Sequence, residues 1–168
     1  ILSNPPYVDA RAMARLPLHP RLSHMLAFAE RLGLGALACD IAALLSERDV
    51  LVGGARRTVD FGARLEALQA FRAHGRGAAA KYQADANACA RVDQAARQYQ
   101  RLLASKKTAT DGTDQAGLLL ALAYPDRVAL TRTAGDTRYL LASGRGARLQ
   151  ESEMRLRQPC IVAANLDA

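Results

Sequence analysis

The stretch from Arg11 to Asp49, RAMARLPLHPRLSHMLAFAERLGLGALACDIAALLSERD, constrains the fold more than any other part of the chain. A short helical turn breaks at Leu16-Pro17-Leu18-His19-Pro20, and two helices follow, joined at Gly33 and Gly35. Pro20 suits the first helical position, where no N–H is needed and a fixed φ is an advantage. Leu22, Met25, Leu26 and Ala29 then recur at helical spacing and form one apolar face. Gly33 supplies the left-handed residue that ends such a helix. The second helix carries Leu37, Ile41, Leu44 and Leu45 before the charged Glu47-Arg48-Asp49. Two amphipathic helices with so short a joint form an antiparallel pair that must bury both stripes. That pair is the expected scaffold.

The remainder divides into a helical part and a β part. Leu51 to Thr58 (LVGGARRT) is a Gly-rich loop carrying Arg56 and Arg57. It lacks the G-x-x-x-x-G-K-[ST] pattern and a preceding strand, so a linker is the better reading than a phosphate cradle. Asp60 is a suitable N-cap for a helix with Phe61, Leu65 and Leu68 on one face, ending by His74-Gly75. The longest helix is expected from about Ala78 to Ser105, with Cys89, Val92, Ala96, Tyr99 and Leu103 as its seam. At 100° per residue Arg97 and Arg101 point away from that seam, beside Gln94 and Gln98. Ser105 to Asp114 is polar and marks a boundary. Asp114 is then expected to cap a short, buried helix, Gln115 to Ala123, ended by Tyr124-Pro125. Beyond Arg127 the period becomes two. Val128 and Leu130, then Tyr139 to Leu141, Ala147 to Leu149 and Cys160 to Leu166 read as three or four strands.

Composition narrows the functional classes. Half of the 168 residues are apolar, mostly Ala and Leu, which favours a helical body. The formal charge of +7 and pI near 9.8 point to a polyanion, nucleic acid first, or to a basic surface that only aids solubility. Cys39, Cys89 and Cys160 are odd in number and far apart, which argues against a disulfide framework or a zinc knuckle and fits a reducing, cytoplasmic setting. No signal peptide is expected, and no apolar run reaches the roughly 18 residues that would span a membrane. The chain starts at Ile1 and ends in a strand-like stretch, so a fragment of a longer protein is expected.

The sequence contains no Walker A, no DEAH-type box, no G-x-S-x-G and no H-E-x-x-H. His19 and His24 are not spaced as metal ligands on one helix face, and the acidic residues are scattered as caps and salt-bridge partners. Positive charge is what the chain offers. Arg91, Arg97, Arg101, Lys106 and Lys107 belong to an outer helical face, and Arg127, Arg132, Arg138, Arg145 and Arg148 to the β unit. Of these, Arg97, Arg101, Lys106, Lys107, Arg138, Arg145 and Arg148 are the candidate nucleic-acid-binding residues. Gly144-Arg145-Gly146 is a tight turn with exposed backbone N–H groups beside an arginine, suited to a phosphate. Tyr139 suits a stacked base or the core equally. No catalytic, cofactor or metal site is expected.

Two blocks carry a family resemblance. The sequence MARLPLHPRLSHML…AALLSERD resembles the ratchet (helicase-associated) domain of DEAH-box RNA helicases, which follows two motor domains and a winged helix. Leu118 to Leu149, LLLALAYPDRVALTRTAGDTRYLLASGRGARL, is similar to the C-terminal region of bacterial HrpB-type ATP-dependent helicases. The family has there an alanine-leucine helix, a YPDR turn and a YLLA-x-GRGA-x-L hairpin. The usual Thr-x-x-Gly-Arg entry reads Val-Asp-Ala-Arg at Val8 to Arg11. The resemblance implies an α+β, mostly α chain: residues 1–10 the tail of a winged helix, 11–109 a ratchet-like helical bundle, and 110–168 a buried helix plus the start of a truncated OB-like β unit. It implies that the parent hydrolyses ATP with magnesium in RecA-like domains, whereas this fragment holds no cofactor. The implied partners are single-stranded nucleic acid, RNA by the family, and the parent's own RecA-like and winged-helix domains. A helical protein-docking module without nucleic-acid binding is the alternative.

Overall fold

The computed structural model describes residues 16–103, 113–133 and 135–164. The expectations for residues 1–15, for the boundary at 105–112 with Lys106 and Lys107, and for the strand end at 165–168 lie outside them. Six helices among the described residues precede a four-stranded antiparallel sheet, so the fold is α+β and mostly α.

Helix α1 (Pro20–Arg31) opens as expected with Pro20 in its first turn, and the His19 ring accepts the Arg21 N–H. Gly33 lies at φ 72°, and the Leu34 N–H returns to the Ala29 carbonyl at 2.8 Å. This doubled-back end satisfies carbonyls that a helix terminus leaves open. Helix α2 (Gly35–Ser46) is buried from Gly35 through Leu44, all round rather than along one stripe. It packs against α1, α3 (Phe61–His74), α5 (Ala86–Leu103) and α6 (Ala116–Ala123). Alanines at 36, 38, 42 and 43 let these neighbours approach closely.

Asp40 is the exception in this apolar centre, only 2% exposed. Its two oxygens accept from Arg72 Nη1 and Nη2 at 2.7 and 2.8 Å. Arg72 Nε donates to Asp93 at 2.6 Å, and Arg97 to the other Asp93 oxygen at 2.9 Å. Burial works against the Arg72 charge, but the hydrogen bonds and charges of Asp40 and Asp93 outweigh it and raise its pKa. The chain Asp40–Arg72–Asp93–Arg97 thereby ties α2, α3 and α5. Cys39 and Cys89 are small core residues, and burial, then Asp40 and Glu30, push the Cys39 thiol up to about 12.

The expected long helix from Ala78 is two helices, α4 (Arg76–Lys81) and α5. The break falls at Gln83, whose φ of 50° no helix accommodates. The Gly-rich loop holds it there: the Val52 N–H donates to the Gln83 carbonyl at 2.8 Å, and the Ala55 N–H to Gln83 Oε1 at 3.3 Å. Asp85 restarts the helix by accepting the Asn87 N–H at 2.9 Å. Asp60 caps α3 as expected, accepting the Gly62 N–H at 2.8 Å. Asp114 does not cap α6. It lies in a tight turn, Thr113–Gln115, ahead of the helix. Nor is α6 buried all round, since Leu118 is 51% exposed opposite buried Leu119, Leu120 and Ala123.

The strands are β1 (Val128–Thr131), β2 (Arg138–Leu141), β3 (Gly146–Arg148) and β4 (Cys160–Val162), in the order β3-β2-β1-β4. Ala129, Tyr139 and Leu141 form a small buried core with Ala147, Leu149 and Ile161 against it. Leu130 and Leu140 are paired directly across β1 and β2 on the opposite face, 58% and 40% exposed. Helix α6 and β4 are in contact, and Val162 and Ala164 pack on the helical core. Among the described residues no helix is long and apolar enough to cross a membrane.

Candidate nucleic-acid interface

The candidate arginines fall into two separate groups. Arg97 stands on α5, whose packing partners are α2, α3 and α4. It is 62% exposed, so its guanidinium faces solvent as the helical projection expects, but Asp93 holds its Nε. Arg101, one turn further on, is also exposed. Lys106 and Lys107 lie outside the described residues. Arg97 and Arg101 thus share a solvent face through i,i+4 spacing, with one of the two neutralised in place.

The second group is on the sheet. Arg138 and Arg148 are register partners across β2 and β3, so both project to the face that carries Leu140. Two like charges opposite each other carry a cost. Asp136 offsets it, pairing with Arg138 at 2.9 Å, and that contact draws the Asp136 carboxyl below its ordinary value. Arg145 stands exposed in the turn between β2 and β3, where Gly144 takes φ 84° and the Leu141 N–H reaches the Arg145 carbonyl at 2.9 Å. The hairpin therefore carries three exposed arginines, Arg138 and Arg148 at its open end and Arg145 at its turn, with the exposed apolar pair Leu130 and Leu140 between them on β1 and β2.

Two residues change role. Tyr139 is 3% exposed and its hydroxyl donates to the Gln158 carbonyl at 2.9 Å, so it is core and offers no face to a base. Arg127 is half-buried, donates to the Ala164 carbonyl at 2.6 Å and lies 4.7 Å from the Tyr124 ring centre. It belongs to the joint between helices and sheet rather than to a basic surface.

That joint went unread in the sequence although both its halves were quoted as motifs. Arg21, from the HPRLSHML block, makes a two-pronged ion pair with Asp126 of the YPDR turn. The Arg21 guanidinium also lies 5.5 Å from the Tyr124 ring centre, a cation–π distance. The hydrogen bond to Arg21 is the main cause that lowers the Asp126 pKa and raises that of Arg21. His24 lies one helical turn along, its Nδ1 3.2 Å from the Leu122 carbonyl, which only an Nδ1–H can satisfy. Thr58 hydroxyl to Glu153 at 3.1 Å adds a further tie to the segment after β3. Among the described residues no cluster of His, Cys, Asp or Glu is arranged to hold a metal ion.

With this geometry the chain matches a solved structure, the crystal structure of the E. coli DExH-box NTPase HrpB. The match covers 89% of this chain and 15% of that one, with 27% identity and a TM-score of 0.60. The similarity is thus to a fragment-sized region of an HrpB-like DExH-box helicase, and the chain spans well under a fifth of the protein it matches. No protein-family model and no curated protein matches the chain.

Proposed function

We propose that this chain is the C-terminal accessory region of an HrpB-type ATP-dependent RNA helicase, binding single-stranded nucleic acid and coupling strand position to RecA-like motor domains. The observation that carries this reading is the similarity of 89% of the chain to a region of the NTPase HrpB. The exposed arginines supply the binding chemistry. Arg138, Arg145 and Arg148 on the sheet, with Arg101 and Arg97 on α5, meet phosphates without reading bases. ATP hydrolysis with magnesium belongs in this reading to the motor domains, and the fragment has no catalytic activity of its own. The Arg21–Asp126 pair makes helices and sheet respond together when a strand moves along either.

The test is fluorescence anisotropy of labelled single-stranded RNA across a salt series, with duplex and single-stranded DNA as controls. Preference for single strands, with log affinity falling linearly in log salt, is the expected result. No binding at low salt overturns it. A second reading, protein docking, is favoured by the exposed Leu130–Leu140 pair, since contiguous apolar surface marks contact with another protein surface. Under it, Leu130→Thr with Leu140→Thr abolishes association with the motor domains supplied separately and leaves RNA binding unchanged.

A further inference from the structure

The loop Val52–Arg57 and the α4–α5 joint are built as one surface. The Leu51–Ala84 bridge and the two hydrogen bonds from Val52 and Ala55 to Gln83 hold the loop against the joint. Gln83 is the one non-glycine residue in the left-handed region among the described residues. A side chain held there is a local strain that its surroundings must maintain, and such positions concentrate at ligand sites. The alanine-rich run on either side would otherwise continue as one helix. The interruption leaves Tyr82 42% exposed, next in sequence to the Gln83 that the loop holds, and Val52 of the loop is exposed as well.

Charge completes the surface. Arg56 and Arg57 are both exposed, and neither carries an ion pair among the described residues. In this they differ from Arg97 and Arg138, which Asp93 and Asp136 hold. The nearby carboxylates are engaged: Asp49 by Arg64 and the Leu51 N–H, Asp85 by the Asn87 N–H. The guanidiniums at 56 and 57 are therefore exposed and outside every ion pair among the described residues. An aromatic face, two unengaged guanidiniums and an open loop make up the chemistry of a sequence-tolerant single-strand site.

We propose that Tyr82, Arg56 and Arg57 form a contact site for single-stranded nucleic acid on the helical body, separate from the α5 face and from the sheet. Tyr82 stacks an unpaired base and the two arginines meet the flanking phosphates. A duplex presents no free base face to a single tyrosine, so the site selects single strands. The proposal rests on the nucleic-acid reading above and assigns it residues that helix projection and strand register both leave out.

The test uses the 168-residue chain, its Tyr82→Ala and Tyr82→Phe variants and the double variant Arg56→Gln, Arg57→Gln, each checked for unchanged circular dichroism. The probes are a labelled oligouridylate and the same backbone without bases. Tyr82→Ala is expected to weaken oligouridylate binding by about tenfold, while Tyr82→Phe retains it and the base-free strand does not distinguish the two. The double arginine variant is expected to reduce the slope of log affinity against log salt by up to about two. If the wild type binds but Tyr82→Ala stays within about twofold and the salt slope is unchanged, this site is overturned and the wider reading stands. If the wild type does not bind at low salt, both fall.

Discussion

In the helical body α2 is enclosed by four other helices, and even its one carboxylate, Asp40, is buried and answered by a bidentate arginine. In the sheet only Ala129, Tyr139 and Leu141 are buried, while the leucines that alternate with them, Leu130 and Leu140, face solvent. In the body a chain of ion pairs links three helices, running from buried Asp40 outward through Arg72 and Asp93 to exposed Arg97, whereas the sheet's Arg138–Asp136 pair lies at the surface. The difference is one of core size, a large cluster of buried side chains in the body against three buried residues in the sheet. The body closes its own core. The sheet, with its smaller core, is joined to the body through α6 against β4, Arg21–Asp126, Arg127–Ala164 and Thr58–Glu153.

The largest effect is expected from cutting the chain of charges. Arg72→Ala leaves Asp40 without its partner inside the core and is expected to lower the unfolding free energy by about 3 kcal/mol. Urea denaturation followed by circular dichroism reads this, and a loss below about 1 kcal/mol would mean that the network is not what joins α2, α3 and α5. In the sheet, Leu141→Ala is expected to cost about 2 kcal/mol. If the comparison is right, hydrogen exchange accelerates in β1, β2 and β3 while α2 stays protected. Equal acceleration in α2 would make the two regions one cooperative unit.

Asp126→Asn has a smaller expected effect, confined to the joint. Strand amides in β4 exchange faster and the helical core is unaffected. The same contact fixes a pH dependence. The folded Asp126 pKa is depressed from its ordinary 3.8 by Arg21, so the pair's stabilisation is fully present above that value. It fades as the pH falls from there through the folded value. An acid titration in which wild type and Asp126→Asn converge at low pH and separate above it checks the sign. The smallest effect is expected at Leu130→Thr with Leu140→Thr, within about 0.5 kcal/mol of wild type, because neither side chain is buried. A larger loss would show that this face is covered.

Helix existence, caps and breaks were legible wherever local chemistry decides them. Pro20, Gly33 and Asp60 do in the structure what their side chains favour in isolation. What escaped was settled by distant partners. The break at Gln83 depends on a loop thirty residues earlier in sequence, which no window of helical periodicity contains. The outward turn of Leu130 and Leu140 depends on strand register, and Leu140-Leu141 alternates no better on one face than on the other. Of the candidate site, the arginines' exposure on α5 and the hairpin was readable from spacing. Their pairing with Asp93 and Asp136 was readable only in hindsight, as i,i+4 and i,i+2 neighbours. Tyr139 could not be placed before register showed which face it shares with Ala129 and Leu141.

The central claim is that both regions, unequal in stability, present basic surface to a single strand. It is tested most directly by titrating the isotopically labelled chain with oligouridylate and following backbone amide shifts by nuclear magnetic resonance. The account predicts shifts at residues 138–148, at 97–101 and at 52–57 with 82–83, and none through the buried length of α2. An absence of shifts on both surfaces at saturating oligouridylate would contradict it.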